Sequence, residues 1–150
     1  MERAIELALK GMRNNEGGPF GAIVVKDGQI IGRGNNCVTS TNDPTAHAEI
    51  VAIRDACKNT NSFKLDDCVI YASCEPCPMC LSAIYWSHIK KVYFGCSTSD
   101  AAEIDFDDKF IYKELNISIS KRKIPMAQLL RDKALEVFSE WKDKPDTTKY

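Results

Sequence analysis

Apolar residues recur at helical spacing in the opening segment, where Ala4, Ile5, Ala8, Leu9 and Met12 fall on one side of a helix until Gly17-Gly18-Pro19 ends the pattern. Two strand-like runs follow, 20–26 and 29–35, and the Asp27-Gly28 dipeptide between them suits a tight antiparallel hairpin. Asp43-Pro44 supplies an N-cap and a first helical residue, and Ile50, Ile53 and Cys57 then form an apolar stripe, which predicts a helix over 44–59. A short apolar strand over 68–72, a helix from Pro76 to about 87 and a strand over 91–95 complete the alternation. Further on, 106–115 fits a helix, 124–130 fits either helix or strand, and Leu135, Phe138 and Trp141 place a last helix over 132–142. Residues 143–150 are polar and without period. The pattern implies a central mixed sheet with helices on both faces, in one domain spanning 1–150.

Composition narrows the picture. With 150 residues and 44% hydrophobic content there is material for one core. A net charge of -1 gives no bulk attraction to a polyanion, so a small-molecule partner is expected, with no nucleic acid and no membrane. The N-terminus lacks the apolar core of a secretion signal and no run reaches membrane-spanning length, which reads as a cytoplasmic protein. Seven cysteines cannot all pair in one chain, and three crowd into 74–80, a clustering that suggests a metal.

Zinc favours thiolate and imidazole ligands, and a catalytic site keeps a fourth position for water. His47, Cys77 and Cys80 make that set of three, Cys77 and Cys80 sharing one face of their predicted helix. Pro76 as first helical residue leaves Cys74 on the incoming loop, as a buried small residue. Glu49, two positions after His47, stands where a carboxylate could reach the water. A closed structural site using Cys74 as a fourth ligand is the competing arrangement, and it leaves Glu49 without a role. Ile84 occupies the position where a ferredoxin-type run would need a cysteine.

His47-Ala48-Glu49 followed by Pro76-Cys77-x-x-Cys80 is also the signature of zinc nucleobase deaminases. Together with 17–22, 42–49, 73–80, 101–114 and Lys149-Tyr150, it makes the chain resemble the bacterial guanine deaminases of the cytidine-deaminase superfamily. The resemblance implies a three-layer α/β/α fold with a five-stranded mixed sheet. It implies one zinc ion per subunit and hydrolysis of guanine to xanthine and ammonia by a zinc-bound hydroxide, with Glu49 as proton shuttle. It further implies Asp108 as a second acidic group at the base, Asn36 as a base-binding amide, and Phe20 and Trp86 as aromatic walls. Ala48 would contribute a backbone group, and Tyr150 would act as a lid from a partner in a homodimer that swaps about 143–150.

Without the resemblance, Asn36 reads as a turn residue, Phe20 and Trp86 as core, Asp108 as a solvated acid and the tail as frayed. A tRNA adenosine deaminase or another cytosine or nucleoside deaminase shares the motif, and a zinc-stabilised binding module without turnover shares the ligands.

Overall fold

The computed structural model describes residues 1–149. The chain divides into two compact units, Met1–Asp108 and Lys109–Tyr150. In the first, helix α1 (Glu2–Arg13) leads to strands β1 (Gly21–Lys26) and β2 (Gln29–Asn35), a short helix α2 (Val38–Thr41) and helix α3 (Ala48–Thr60). Strand β3 (Val69–Cys74), helix α4 (Pro78–Trp86), strand β4 (Lys91–Cys96) and helix α5 (Thr98–Ala102) follow. Among the described residues the sheet has four strands in the order β2-β1-β3-β4. It is mixed, since β1 runs antiparallel to β2 and β3 while β3 and β4 are parallel. Asp27 and Gly28 turn the hairpin with φ of 49° and 78°, the left-handed pair that a two-residue connection needs.

Alternation along the strands assigns the layers. Ala22 and Val24 of β1 and Ile70 and Ala72 of β3 face one way, and they pack with Ala48, Ala52 and Ala56 of α3 and Ile84 of α4. The α3 helix lies very close over β2, because a Cβ on Gly34 would sit 2.2 Å from the Ala48 carbonyl oxygen. On the opposite face α1 buries Ala4, Ala8 and Gly11. The three layers put the N-termini of α3 and α4 at the end of the sheet where β3 terminates.

The second unit contains α6 (Lys109–Asn116), a 3-10 turn (Ile119–Lys121) and α7 (Arg131–Asp143). No fifth strand forms among the described residues, and 124–130 is irregular, with Pro125 removing a backbone donor that a strand would need. The expected five-stranded sheet is therefore corrected to four, with β4 as an edge. None of the described residues in 109–149 is buried.

Candidate metal centre and active site

The two motif helices start later than their prolines suggested, and the shift alters the roles of the ligands. His47 is the N-cap of α3 and Cys77 the N-cap of α4, both extended, with φ and ψ of -68° and 155° and of -63° and 168°. Neither side chain caps its helix. Their carbonyls take the first intrahelical bonds, from Val51 N–H at 3.0 Å and Leu81 N–H at 2.8 Å. The imidazole and the thiol are thereby released to point away from the helix ends. Asp43 closes a local turn instead of starting the helix, accepting from the Thr45 N–H at 2.8 Å and the Thr45 hydroxyl at 2.6 Å. Pro78, and not Pro76, is the first residue of α4.

His47, Cys77 and Cys80 bring their ligand atoms within 4.8 Å of one another. His47 Nδ1 lies 3.6 Å from each sulfur. A tetrahedral ion at about 2.05 Å from nitrogen and about 2.3 Å from sulfur would hold those donors about 3.6 Å apart, so the constellation has the spacing of a bound zinc. Cys74 is outside this group. It ends β3 rather than lying on a loop, is buried, and donates its thiol to the Ser97 carbonyl at 3.5 Å.

Electrostatics agree with thiolate ligation. The Cys80 thiol donates to Cys77 and holds Cys77 down at about 4, with His47 adding to the effect. The same bond, followed by burial, pushes Cys80 up. The bond to Cys77 raises His47. The Cys80 backbone N–H, in the first turn of α4, also favours the Cys77 thiolate.

Glu49 occupies the second position of α3 and is 8% exposed. Burial raises its pKa, and the bond from its own backbone N–H works against that rise. A carboxyl beside the ligand set, its hold on a proton strengthened by its dry surroundings, is suited to accept a proton and return it. Asn36 is buried, and its side-chain carbonyl already accepts from the Gly18 and Val38 N–H groups, each at 3.2 Å. With both lone pairs of that oxygen engaged, the amide offers its NH2 as a donor rather than a donor and an acceptor.

Asp108 has one carboxyl oxygen buried without a hydrogen-bond partner. Burial raises its pKa and the Cys77 thiolate adds to the rise, which puts the group within electrostatic reach of the ligand set. Phe20 is half-buried and meets Phe106 edge-on, ring centroids 4.9 Å apart. Ala48 is buried as the first residue of α3. Trp86 ends α4, six residues and about 9 Å of helix axis beyond Cys80, and is largely exposed, so this chain does not bring it beside the ligands. Tyr150 lies outside the described residues. Gly18, whose N–H fixes the Asn36 amide, had no assigned role in the sequence, where the segment 17–22 counted as a helix stop and as part of the resemblance.

Residues 1–96 match the family model described as the cytidine and deoxycytidylate deaminase zinc-binding region. The chain belongs to the cytidine and deoxycytidylate deaminase family. Within that family it is 50% identical to a guanine deaminase of Bacillus subtilis over 150 residues, covering 100% of this chain and 96% of that relative. The solved structure of the B. subtilis guanine deaminase aligns with a TM-score of 0.96, over 99% of this chain and 95% of that one, again at 50% identity. A tRNA-specific adenosine deaminase of Buchnera aphidicola is 36% identical over 94% of this chain and 90% of its own length. The family's zinc fits the residues present, on the nitrogen-to-sulfur spacing and the thiolate character of Cys77.

Proposed function

We propose that this deaminase hydrolyses guanine to xanthine and ammonia, with His47, Cys77 and Cys80 holding one zinc ion and Glu49 moving the protons. The observation that carries the reaction type is the buried Glu49 carboxyl beside the three converging ligand atoms. Bound zinc supplies Lewis acidity, which lowers the pKa of a coordinated water from 15.7 toward about 7. Glu49 accepts a proton from the attacking water and delivers it to a ring nitrogen, then takes the second proton from the hydroxyl newly bonded to C2 and passes it to the departing amine. One carboxyl serves each transfer because it is buried against the site and need not exchange with solvent.

Guanine as substrate is supported by the B. subtilis relative, which is similar over both whole chains. The Asn36 NH2 is a donor suited to an oxo or ring-nitrogen acceptor on the base edge, and the unpartnered Asp108 oxygen is an acceptor suited to a ring N–H or amine. Phe20 would wall one face of the base, and the Ala48 backbone would lie at its edge. Adenosine in tRNA is the second reading, favoured by the Buchnera relative. A net charge of -1 provides little bulk attraction for a polyanion and weighs against it.

The working form is a homodimer in which the C-terminal segment of one chain, ending in Tyr150, closes the site of its partner, the two units of each chain making one catalytic domain. Exposed apolar side chains support an association: Leu129, Leu130, Val137 and Phe138 are each at least 64% exposed. Incubating the zinc-loaded protein with guanine should yield xanthine and ammonia in equal amounts, and removing zinc with a chelator should abolish both. Absence of xanthine from the zinc-loaded protein would refute the proposal.

A further inference from the structure

Two cysteines outside the metal centre stand side by side on neighbouring strands. Cys74 ends β3 and Cys96 ends β4, and the parallel register pairs them directly. Parallel strands in register project paired side chains to the same face, and here both cysteines line one cavity with Phe20, Asp100 and Ala101. Neighbouring strands lie about 4.8 Å apart, inside the Cα separation of roughly 4.4 to 6.8 Å that a disulfide spans. Both residues are free thiols, one buried and one exposed. The charge of Cys96 ranks after burial among the causes that lift Cys74 to about 11, a second sign that the sulfurs are neighbours.

We propose that Cys74 and Cys96 form a dithiol exchange site that closes to a disulfide on reaction with a low-molecular-weight disulfide such as oxidised glutathione. Exposure assigns the order. The Cys96 thiolate attacks one sulfur of oxidised glutathione, the S–S bond breaks, and one glutathione leaves as its thiol after taking up a proton. Cys74 then gives up its proton and attacks the Cys96 sulfur of the mixed disulfide, expelling the second glutathione. Two protein thiols are oxidised and one glutathione disulfide is reduced to two thiols. The bond would tie the end of β3, three residues before the ligand Cys77, to the end of β4, which leads through Ser97 into α5 and on to Asp108. It leaves the zinc ligands untouched and does not depend on which base the enzyme deaminates.

The test uses the zinc-loaded full chain incubated with oxidised glutathione, followed by intact mass, peptide mapping and zinc content. The expected product has lost two hydrogens, retains no glutathione, joins the peptides of Cys74 and Cys96, keeps its zinc and reverts under a thiol reductant. Cys74→Ser should stop at a stable glutathione adduct on Cys96, and Cys96→Ser should give no crosslink. A wild-type protein that keeps glutathione on Cys96 without closing, or one whose bond involves Cys77 or Cys80 with loss of zinc, would overturn the proposal.

Discussion

Glu49 and Asn36 show how single residues are assigned by what their surroundings leave free. Burial lifts the Glu49 pKa while a bond from its own backbone N–H partly offsets the rise. Glu49→Gln removes the titratable group with little change in volume, and turnover should fall by about 10²- to 10⁴-fold with zinc content and Tm retained. An unchanged rate in that variant would remove the proton-shuttle role. For Asn36 the informative change is Asn36→Asp, because it keeps an oxygen for the Gly18 and Val38 N–H groups and deletes the NH2 donor. The expected outcome is a rise in KM for guanine with the fold intact, and an unaltered KM would take the donor off the substrate. The ligand trio was legible from spacing and residue type alone. The direction of the Asn36 amide was not, since it depends on backbone N–H groups that the sequence does not display.

At the scale of elements, the motif helices were legible in existence and less so in their first residues. Asp43-Pro44 has the residue types of a helix start, but the Asp43 carboxylate bonds to Thr45 and spends the capping group in a local turn. In α4 the decisive signal was Pro78, since a residue before proline is driven out of the helical region. That sterically assigns Cys77 to the N-cap, where its extended backbone releases the sulfur toward His47. The opening helix, the hairpin and both later strands followed from periodicity, while the fifth strand rested on the resemblance and is not formed among the described residues. Placement of the metal helices depends on Gly34, where an added Cβ would press on the Ala48 carbonyl and sit 2.5 Å from the Ala52 nitrogen. Gly34→Ala should therefore lift α3 from the sheet, costing about 1 to 3 kcal/mol of stability, with zinc affinity falling as His47 moves. A thermal melt matching that of the unmodified protein would show that the contact relaxes without displacing the helix.

For the whole molecule, the distribution of burial separates the two units. Residues up to 108 enclose an aliphatic core with a site at one end, whereas the described part of 109–149 has no fully buried residue and exposes Ile124, Leu129 and Phe138. Such a segment gains stability by covering its apolar side chains, and a second copy of the chain is the proposed cover. Sedimentation should give the mass of two chains, and deleting 144–150 should lower kcat/KM for guanine. Full activity in the truncated protein would exclude a lid at the C-terminus. No helix among the described residues is long and apolar enough to cross a membrane.

The central claim is that this member of the deaminase family acts on the free base guanine, and one comparison tests it most directly. Ammonia release should be measured with the zinc-loaded protein on guanine, adenine, cytosine, their nucleosides and a tRNA anticodon stem, each at several concentrations to yield kcat/KM. Guanine should be the preferred substrate, with xanthine formed in step with ammonia. A higher kcat/KM for the adenosine of the anticodon stem, or for cytosine, would contradict the account.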